Sequence, residues 1–246
     1  MKRLQLIYIS IILIFVASCN TRTGSTKSEK SESAKSALHR SFEQINKEGK
    51  LRVLTTYSGT SYFLYRGQPM GFEYELLKRF ADHLNLELEI IVSQNIDSML
   101  HQLNRGEVDM VAHGITITSD RKEKASFTDY LYLTHQVLVQ KKPDNWRKMK
   151  WSAIESELVH DAIELIGDTV SVRENSSYFR RLQNLQKEIG GKIHIDTLPG
   201  NLSTDEIIKM VVDGKIKYTV ADDNIARINA SYYHSLDIDV PISFSQ

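Results

Sequence analysis

The chain has 246 residues, 41% of them hydrophobic, and its 31 lysine and arginine residues are balanced by 31 aspartate and glutamate residues. This balance excludes the strongly basic surface by which proteins bind phosphate backbones, so we expect no nucleic-acid partner. The chain contains one cysteine and therefore cannot form an intramolecular disulfide, which leaves its stability to a hydrophobic core.

The first residues have the pattern of a bacterial secretory signal. Lys2 and Arg3 precede an apolar stretch at residues 4–15, which is too short for a good membrane span. The sequence VASC at residues 16–19 resembles a lipobox, and the resemblance implies cleavage after residue 18 and lipidation of Cys19. An ordinary signal peptide with a chance cysteine is the alternative. We expect a lipoprotein signal peptide at residues 1–18 and a stable anchor of several acyl chains.

Residues 19–47 are expected to form a flexible tether between the lipid and the folded part. Most of this segment is rich in serine, threonine and lysine and has no apolar periodicity. Asn20 follows the cysteine where some lipoproteins carry an aspartate that retains them in the inner membrane, so we expect a periplasmic protein anchored in the outer membrane. The roughly 200 residues that follow suffice for one large domain or two small lobes.

Strand and helix patterns alternate after the tether, which favours an α/β fold with parallel strands. The pattern predicts a strand at residues 51–56, a helix at 72–85, a strand at 86–92 and a helix from 96 to about 105. The helix at 72–85 carries an apolar stripe, which we expect to be buried in the core. The stripe consists of Phe72, Leu76, Leu77, Phe80 and Leu84.

Residues 106–121 combine a short, largely apolar strand with a polar turn. Thr116 and Thr118 offer hydroxyl groups, and a helix that starts near Thr118 and runs to residue 125 would present free backbone N–H groups. Arg121 adds a planar guanidinium suited to a carboxylate. Two interpretations remain open: the turn binds an anion, or it begins a surface helix whose arginine is only solvated.

Further elements are predicted in the second half of the chain. A strand at residues 169–172 leads to a helix from Ser176 and Ser177 to residue 189, and residues 203–206 form a capping box. The connection at residues 143–167 is unusually long, and the spacing of its apolar residues suggests an added helix. These apolar residues are Ile154, Leu158, Leu165 and Ile166.

Four motifs, taken in order, resemble the family 3 solute-binding proteins, the periplasmic receptors for polar amino acids. They are GFEYEL at residues 71–76, GEVDMV at 106–111, GITITSDR at 114–121 and YTVAD at 218–222. The first and last are also similar to the N-terminal regulatory domain of the membrane-bound lytic murein transglycosylase F family. The resemblance implies a type II periplasmic binding protein fold, in which two α/β lobes joined by two crossing strands close on a small zwitterionic ligand.

The resemblance also implies a division of the chain. We expect lobe 1 at residues 48–139, lobe 2 at residues 140–237 and a return strand to lobe 1 at residues 238–246. Residues 137–141 would form the first crossing strand and residues 238–244 the second.

The family's charged positions transfer to this sequence individually. The resemblance implies that Arg121 binds the carboxylate of the ligand, with Thr116 and Thr118 beside it, and that Asp222 receives the ammonium group. Asp222 has a second interpretation as the N-cap of a helix at residues 224–233.

Uncharged residues complete the expected site. Ser177, together with Ser176, matches the helix start in lobe 2 that completes the anion site. Tyr57 or Tyr62 would supply an aromatic wall, although either can also be a half-buried core tyrosine.

The sequence contains no motif for a metal, a phosphate loop or a catalytic nucleophile, and no cofactor is expected. Two functions remain. The first is a murein transglycosylase sensor that binds an amino acid or cell-wall peptide, with enzyme activity only if a catalytic domain follows residue 246. The second is a free-standing lipoprotein that delivers an amino acid to an ABC permease. A lobe pair without activity is a third possibility.

Overall fold

The computed structural model describes residues 39–93 and 95–243, apart from the side chains at positions 96 and 97. The predicted signal peptide, Cys19 and most of the tether lie outside the described residues. Within the described part, no helix has the length and apolar character needed to cross a membrane.

The first lobe is built on a parallel sheet of three strands, with helices packed against it. The strand order is β4 (Glu87–Val92), β1 (Lys50–Thr55) and β5 (Met110–Val111). A separate two-stranded hairpin, β2-β3, precedes the second helix. The elements are α1 (Phe42–Glu48), β1 (Lys50–Thr55), β2 (Phe63–Tyr65), β3 (Gln68–Met70), α2 (Phe72–His83), β4 (Glu87–Val92), α3 (Ile96–Asn104), β5 (Met110–Val111) and α4 (Ser119–Lys122).

The second lobe is built on a mixed sheet of five strands in the order β10-β6-β9-β7-β8. Strand β7 is parallel to β8 and β9, whereas β6 is antiparallel to β9 and β10. The elements are β6 (Gln136–Lys141), α5 (Trp151–Glu155), β7 (Thr169–Arg173), α6 (Ser177–Ile189), β8 (His194–Leu198), α7 (Thr204–Val212), β9 (Tyr218–Asp222), α8 (Asp223–Tyr232) and β10 (Leu236–Asp237).

Each sheet buries its own hydrophobic core on both faces. In the first lobe, Val53 and Leu54 are adjacent on β1 and pack into two different clusters, because side chains alternate between the faces of a strand. In the second lobe, Leu138 and Val139 divide between two clusters in the same way. The two cores are therefore separate, as expected for a two-lobed α/β protein.

Local sequence signals explain where several helices begin. The capping box predicted at residues 203–206 is present: the Glu206 N–H donates to Ser203 Oγ at 3.2 Å, and the Ser203 N–H donates to Glu206 Oε2 at 2.7 Å. Helix α2 begins after Gly71, whose φ of 132° is open to glycine. A Cβ at this position would lie 2.2 Å from the Ser61 carbonyl oxygen, so glycine is required for Ser61 to pack against the start of α2.

The predicted apolar stripe on α2 is mostly not buried. Phe72 is 56% exposed, and Leu76 and Phe80 are each 41% exposed. Helix α2 instead buries Glu73, Leu77 and Ala81, which share one face at a spacing of four residues. The expectation was therefore wrong for Phe72, Leu76 and Phe80, whereas Leu77 is buried in the core and Leu84 is partly buried against it.

Two other segments contain less helix than predicted. Helix α4 has only four residues, ending at Lys122 instead of continuing to residue 125. The connection at residues 143–167 forms α5 and two 3-10 turns, Trp146–Lys148 and Ala162–Leu165, instead of one added helix. Ile154, Leu158 and Leu165 are buried as expected, whereas Ile166 is 46% exposed.

The crossing segments both run along the second sheet. The lobe boundary expected between residues 139 and 140 falls inside β6, which pairs along its length with β9. The Leu138 N–H donates to the Val240 carbonyl at 2.8 Å, and the Ile242 N–H donates to the Gln136 carbonyl at 2.7 Å. As far as Ser243, the chain after β10 therefore packs beside β6, and the return strand to lobe 1 stays a prediction.

Candidate functional site

A cavity of about 320 Å³ lies between the two lobes, and residues from both lobes line it. The first lobe and the segment leading to β6 contribute Thr60, Ser61, Phe72, Glu73, His113, Gly114, Thr116, Arg121 and Tyr132. The second lobe contributes Arg173, Ser177, Tyr178, Thr204, Asp222, Asn224, Ile225 and Ile228. The volume is at the lower end of the range for small-molecule pockets, so the cavity suits a small ligand.

Direct contacts between the lobes surround this cavity. The Thr116 hydroxyl donates to Ser177 Oγ at 3.3 Å, and the Gly59 N–H donates to Asp205 Oδ2 at 3.3 Å. An ion pair between Arg180 and Asp120 also joins the lobes. The lobes are therefore in contact with each other around the cavity, which is a closed arrangement of the lobes.

Arg121 lies in helix α4 and lines the cavity from the first lobe. Its Nη1 donates to the Thr116 carbonyl at 3.0 Å, so the guanidinium is held against the turn that precedes the helix. Thr118 is the N-cap residue of α4 but makes no side-chain capping bond and is not among the lining residues. A four-residue helix aligns few peptide dipoles, so the guanidinium is the main group here that attracts an anion.

Asp222 lies at the end of β9 and lines the cavity from the second lobe. It occupies the N-cap position of α8, yet its side chain makes no capping bond and accepts a hydrogen bond from the Tyr178 hydroxyl at 3.2 Å. Burial raises the pKa of Asp222 from 3.8 to about 6, although the Tyr178 hydrogen bond and the charges of Arg121 and Arg173 act in the opposite direction. At neutral pH this carboxylate is charged and half desolvated, so it favours a cationic partner.

The neighbouring carboxylate points elsewhere. Asp223 Oδ2 accepts a hydrogen bond from Arg227 Nε at 2.7 Å, and its Oδ1 lies 3.8 Å from His135 Nε2. Asp223 is not among the residues that line the cavity. The two adjacent aspartates therefore have different surroundings, and Asp222 is the one that faces the ligand space.

The two serines at the start of α6 also have different surroundings. Ser177 lines the cavity, whereas Ser176 is 3% exposed and is not among the lining residues. The Ser176 hydroxyl accepts from the Phe179 N–H at 3.2 Å and donates to the Arg173 carbonyl at 2.6 Å. Ser176 thus caps the helix and fixes the turn that presents Ser177 to the cavity.

Neither tyrosine proposed for the aromatic wall lines the cavity. Tyr57 is 47% exposed, and the ring of Tyr62 packs 5.6 Å from that of Tyr74. The aromatic side chains in the cavity are Phe72 and Tyr132, whose ring centroids lie 6.3 Å apart in an edge arrangement. Phe72 belonged to the stripe assigned to the core, and Tyr132 carries no recognisable sequence signal.

Glu73, His113 and Arg173 also line the cavity and were not predicted from the sequence. Burial raises the pKa of Glu73, against the effect of hydrogen bonds from Ser61 and from the backbone, including that of Gly114. Burial, followed by the charges of Arg173 and Arg121, lowers the pKa of His113 to about 4, so His113 is neutral near pH 7. Arg173, the last residue of β7, is the third. Of these three residues, only Glu73 lies in one of the sequence motifs, GFEYEL at residues 71–76.

The cavity thus brings guanidinium and carboxylate groups together between the lobes. This arrangement can hold a zwitterion, because each lobe supplies charged groups and hydroxyl donors. Across the described part of the chain, no group of three or more histidine, cysteine, aspartate or glutamate residues is placed to hold a metal ion.

Sequence comparison identifies longer relatives. A membrane-bound lytic murein transglycosylase F of Desulfosudis oleivorans is 36% identical over 206 residues, which cover 84% of this chain and 42% of the relative. The enzyme of the same name from Stutzerimonas stutzeri is 33% identical over 79% of this chain and 37% of its own length. The chain therefore spans about two fifths of the length of these relatives.

Solved structures share the fold. The holo form of an arginine-binding protein from T. maritima superposes with a TM-score of 0.65 at 24% identity, over 83% of each chain. The amino acid ABC transporter substrate-binding protein AbpA of Streptococcus pneumoniae, bound to L-arginine, gives a TM-score of 0.64 at 19% identity, over 81% of this chain and 79% of that one. These similarities confirm the two-lobed type II periplasmic binding protein fold.

The sequence profile of the bacterial extracellular solute-binding proteins, family 3, matches residues 50–235, which include all four motifs noted above. The resemblance inferred from those motifs is confirmed. The chain belongs to the family 3 bacterial extracellular solute-binding proteins.

Proposed function

We propose that this chain is the solute-binding sensor domain of a lytic murein transglycosylase F-like protein, anchored in the periplasm through a lipid on Cys19. The ligand is an amino acid or a small peptide derived from the cell wall. The observation that carries the proposal is that Arg121 and Asp222 line the same cavity from opposite lobes.

In the proposed complex, the ligand bridges the lobes through its two charges. The Arg121 guanidinium holds the carboxylate, with the hydroxyls of Thr116 and Ser177 beside it, and Asp222 receives the ammonium group. A hydrogen bond to a charged group contributes about 1.5 to 3 kcal/mol, so these two residues supply much of the affinity. Because both lobes are needed for the full set of contacts, the ligand favours the closed state.

The relatives support a sensor role over a purely structural one. Both relatives described above are named as lytic murein transglycosylases, and this chain matches less than half of each. Closure of the lobes on a murein fragment would then bias a catalytic domain elsewhere in the same protein. This coupling is allosteric if ligand binding and catalysis prefer the same state.

A transporter role is the second candidate. It is favoured by the fold shared with AbpA, whose name identifies it as an ABC transporter substrate-binding protein. In this case the same cavity would deliver an amino acid to a permease. An open reading frame that continues beyond residue 246 into a catalytic domain supports the sensor, whereas neighbouring permease genes support the transporter.

The zwitterion site is tested by calorimetry on a ligand found by a melting-shift screen of amino acids and murein peptides. We expect the ligand to bind, and its analogues lacking the ammonium or the carboxylate to bind at least about tenfold more weakly. The substitution Asp222→Ala should abolish binding with little loss of stability, whereas Asp223→Ala should spare it. Equal affinity of Asp222→Ala and the unaltered protein would contradict the site.

Membrane attachment has its own test. We expect the protein to fractionate with the outer membrane and the variant Cys19→Ala to be released from it. Recovery of both proteins in the same fraction would contradict lipidation at this residue.

A further inference from the structure

Arg173 is a second guanidinium in the cavity for which the zwitterion site has no role. It lies at the end of β7 in the second lobe, whereas Arg121 approaches from the first lobe. If Arg121 holds the carboxylate of a simple amino acid and Asp222 holds its ammonium group, Arg173 remains beside the ligand with no assigned partner.

The structure holds Arg173 in place without neutralising it. Its Nη1 donates to the Leu202 carbonyl at 3.2 Å, and its own carbonyl accepts from the Ser176 hydroxyl at 2.6 Å. Among the described residues, no carboxylate forms an ion pair with Arg173 within 4.0 Å. A guanidinium has five N–H donors, so most of this one is available to a ligand.

Neither carboxyl group that lines the cavity forms an ion pair with Arg173. Asp222 is charged near neutral pH, but Glu73 is only 7% exposed, its pKa is raised by burial, and it bonds within its own lobe. His113 is neutral and adds no charge. A ligand whose only carboxylate pairs with Arg121 would therefore leave the partly buried Arg173 guanidinium without a carboxylate partner, which is unfavourable.

We propose that Arg173 binds a second carboxylate of the ligand, and that the site takes an amino acid or peptide with one carboxylate more than a simple zwitterion. This inference rests on the proposed zwitterion site and names its ligand class. A guanidinium and a carboxylate can pair through two parallel hydrogen bonds, which gives geometric selectivity as well as affinity. A ligand with a cationic side chain, such as arginine, would place like charges together at Arg173 and should be disfavoured.

Ligand pairs that differ by one carboxylate test this inference on the full-length chain. Diaminopimelic acid differs from lysine by one carboxylate, and glutamate differs from glutamine by replacement of a carboxylate with an amide. Calorimetry should show that the protein prefers the dicarboxylic member of at least one pair by about tenfold or more, as expected for one charged hydrogen bond.

The variant Arg173→Gln should reduce this preference towards one, and Arg173→Lys should keep part of it, because lysine retains the charge but loses the fork. Glutamine still offers a donor to the Leu202 carbonyl. Arg79→Gln is the matched control, since Arg79 is exposed on α2 and is absent from the cavity lining. A melting curve for each variant verifies that it is folded.

The possible outcomes distinguish a failure of the zwitterion site from a failure of the role proposed for Arg173. The inference is overturned if the unaltered protein binds both members of each pair equally, or if Arg173→Gln keeps the full preference. If ligands bind and Arg121→Gln abolishes binding while no preference is seen, the zwitterion site stands and only the role of Arg173 is lost. If neither amino acids nor murein peptides bind, the proposed function fails and the inference fails with it.

Discussion

The substitution Asp222→Asn should change stability and ligand affinity in opposite directions. Burial raises the pKa of this carboxyl from 3.8 to about 6 in the folded protein. At 1.36 kcal/mol per pKa unit, this shift corresponds to about 3 kcal/mol. Because the folded state holds the proton more tightly than the unfolded state, the contribution is fully present below the unfolded pKa and is lost as the pH rises through about 6.

Urea unfolding of the ligand-free protein and of Asp222→Asn, across the pH range, measures this contribution. The asparagine oxygen can still accept the Tyr178 hydrogen bond, so the packing is retained. Other titrating groups, including Glu73, are common to both proteins and largely cancel. We expect the unfolding free energy of the unaltered protein, relative to that of the variant, to fall by about 3 kcal/mol between about pH 3 and about pH 8.

Ligand affinity should respond in the opposite sense. Above about pH 6 the charged Asp222 attracts an ammonium group, and its loss in Asp222→Asn should weaken binding by about ten- to a hundredfold. Affinity of the unaltered protein should fall as the pH drops through this range, since Asp222 takes up a proton while Arg121 and Arg173 stay charged. A difference in unfolding free energy that is flat or rises with pH, or equal ligand affinity in both proteins, would refute the reasoning.

Three further changes test the structure. Gly71→Ala should lower the melting temperature strongly, because the new Cβ would lie 2.2 Å from the Ser61 carbonyl oxygen and the backbone φ is 132°. An unchanged melting curve would contradict this close approach. Ser203→Ala should cost about 1 kcal/mol in urea unfolding by removing half of a capping box, without affecting ligand affinity. Phe72→Ala should weaken ligand binding in calorimetry whereas Tyr57→Ala should not, and the reverse result would restore Tyr57 to the aromatic wall.

The parts of the fold that could be predicted are those determined by neighbouring residues. The capping box at Ser203 and the cap at Ser176 involve side chains and N–H groups three residues apart, so the sequence shows both partners. Strands β1, β4 and β7 could also be predicted, because each coincides with a short apolar run in the local sequence. Family resemblance added Arg121, Ser177 and Asp222, which all line the cavity.

The parts that could not be predicted depend on how the two lobes meet. Tyr132 precedes β6 in a segment without regular structure, and nothing nearby in the sequence indicates that its ring contacts Phe72. Arg173 ends a strand like many solvated arginines, and only the closed arrangement of the lobes brings it opposite Arg121. Periodicity describes one element at a time and carries no information about such pairs.

The buried face of helix α2 was predicted incorrectly, and this helix lies beside the cavity. Apolar periodicity favours the face of Phe72, Leu76 and Phe80, because an amphipathic helix normally buries its apolar residues. The helix instead buries Glu73, whose carboxyl lines the cavity and has one oxygen without a hydrogen-bond partner among the described residues. A glutamate on the buried face of a helix is unfavourable for the core alone, so its presence indicates a constraint from the cavity. The departure from the amphipathic pattern is therefore itself a mark of the binding site, although it is recognisable only once the face of the helix is known.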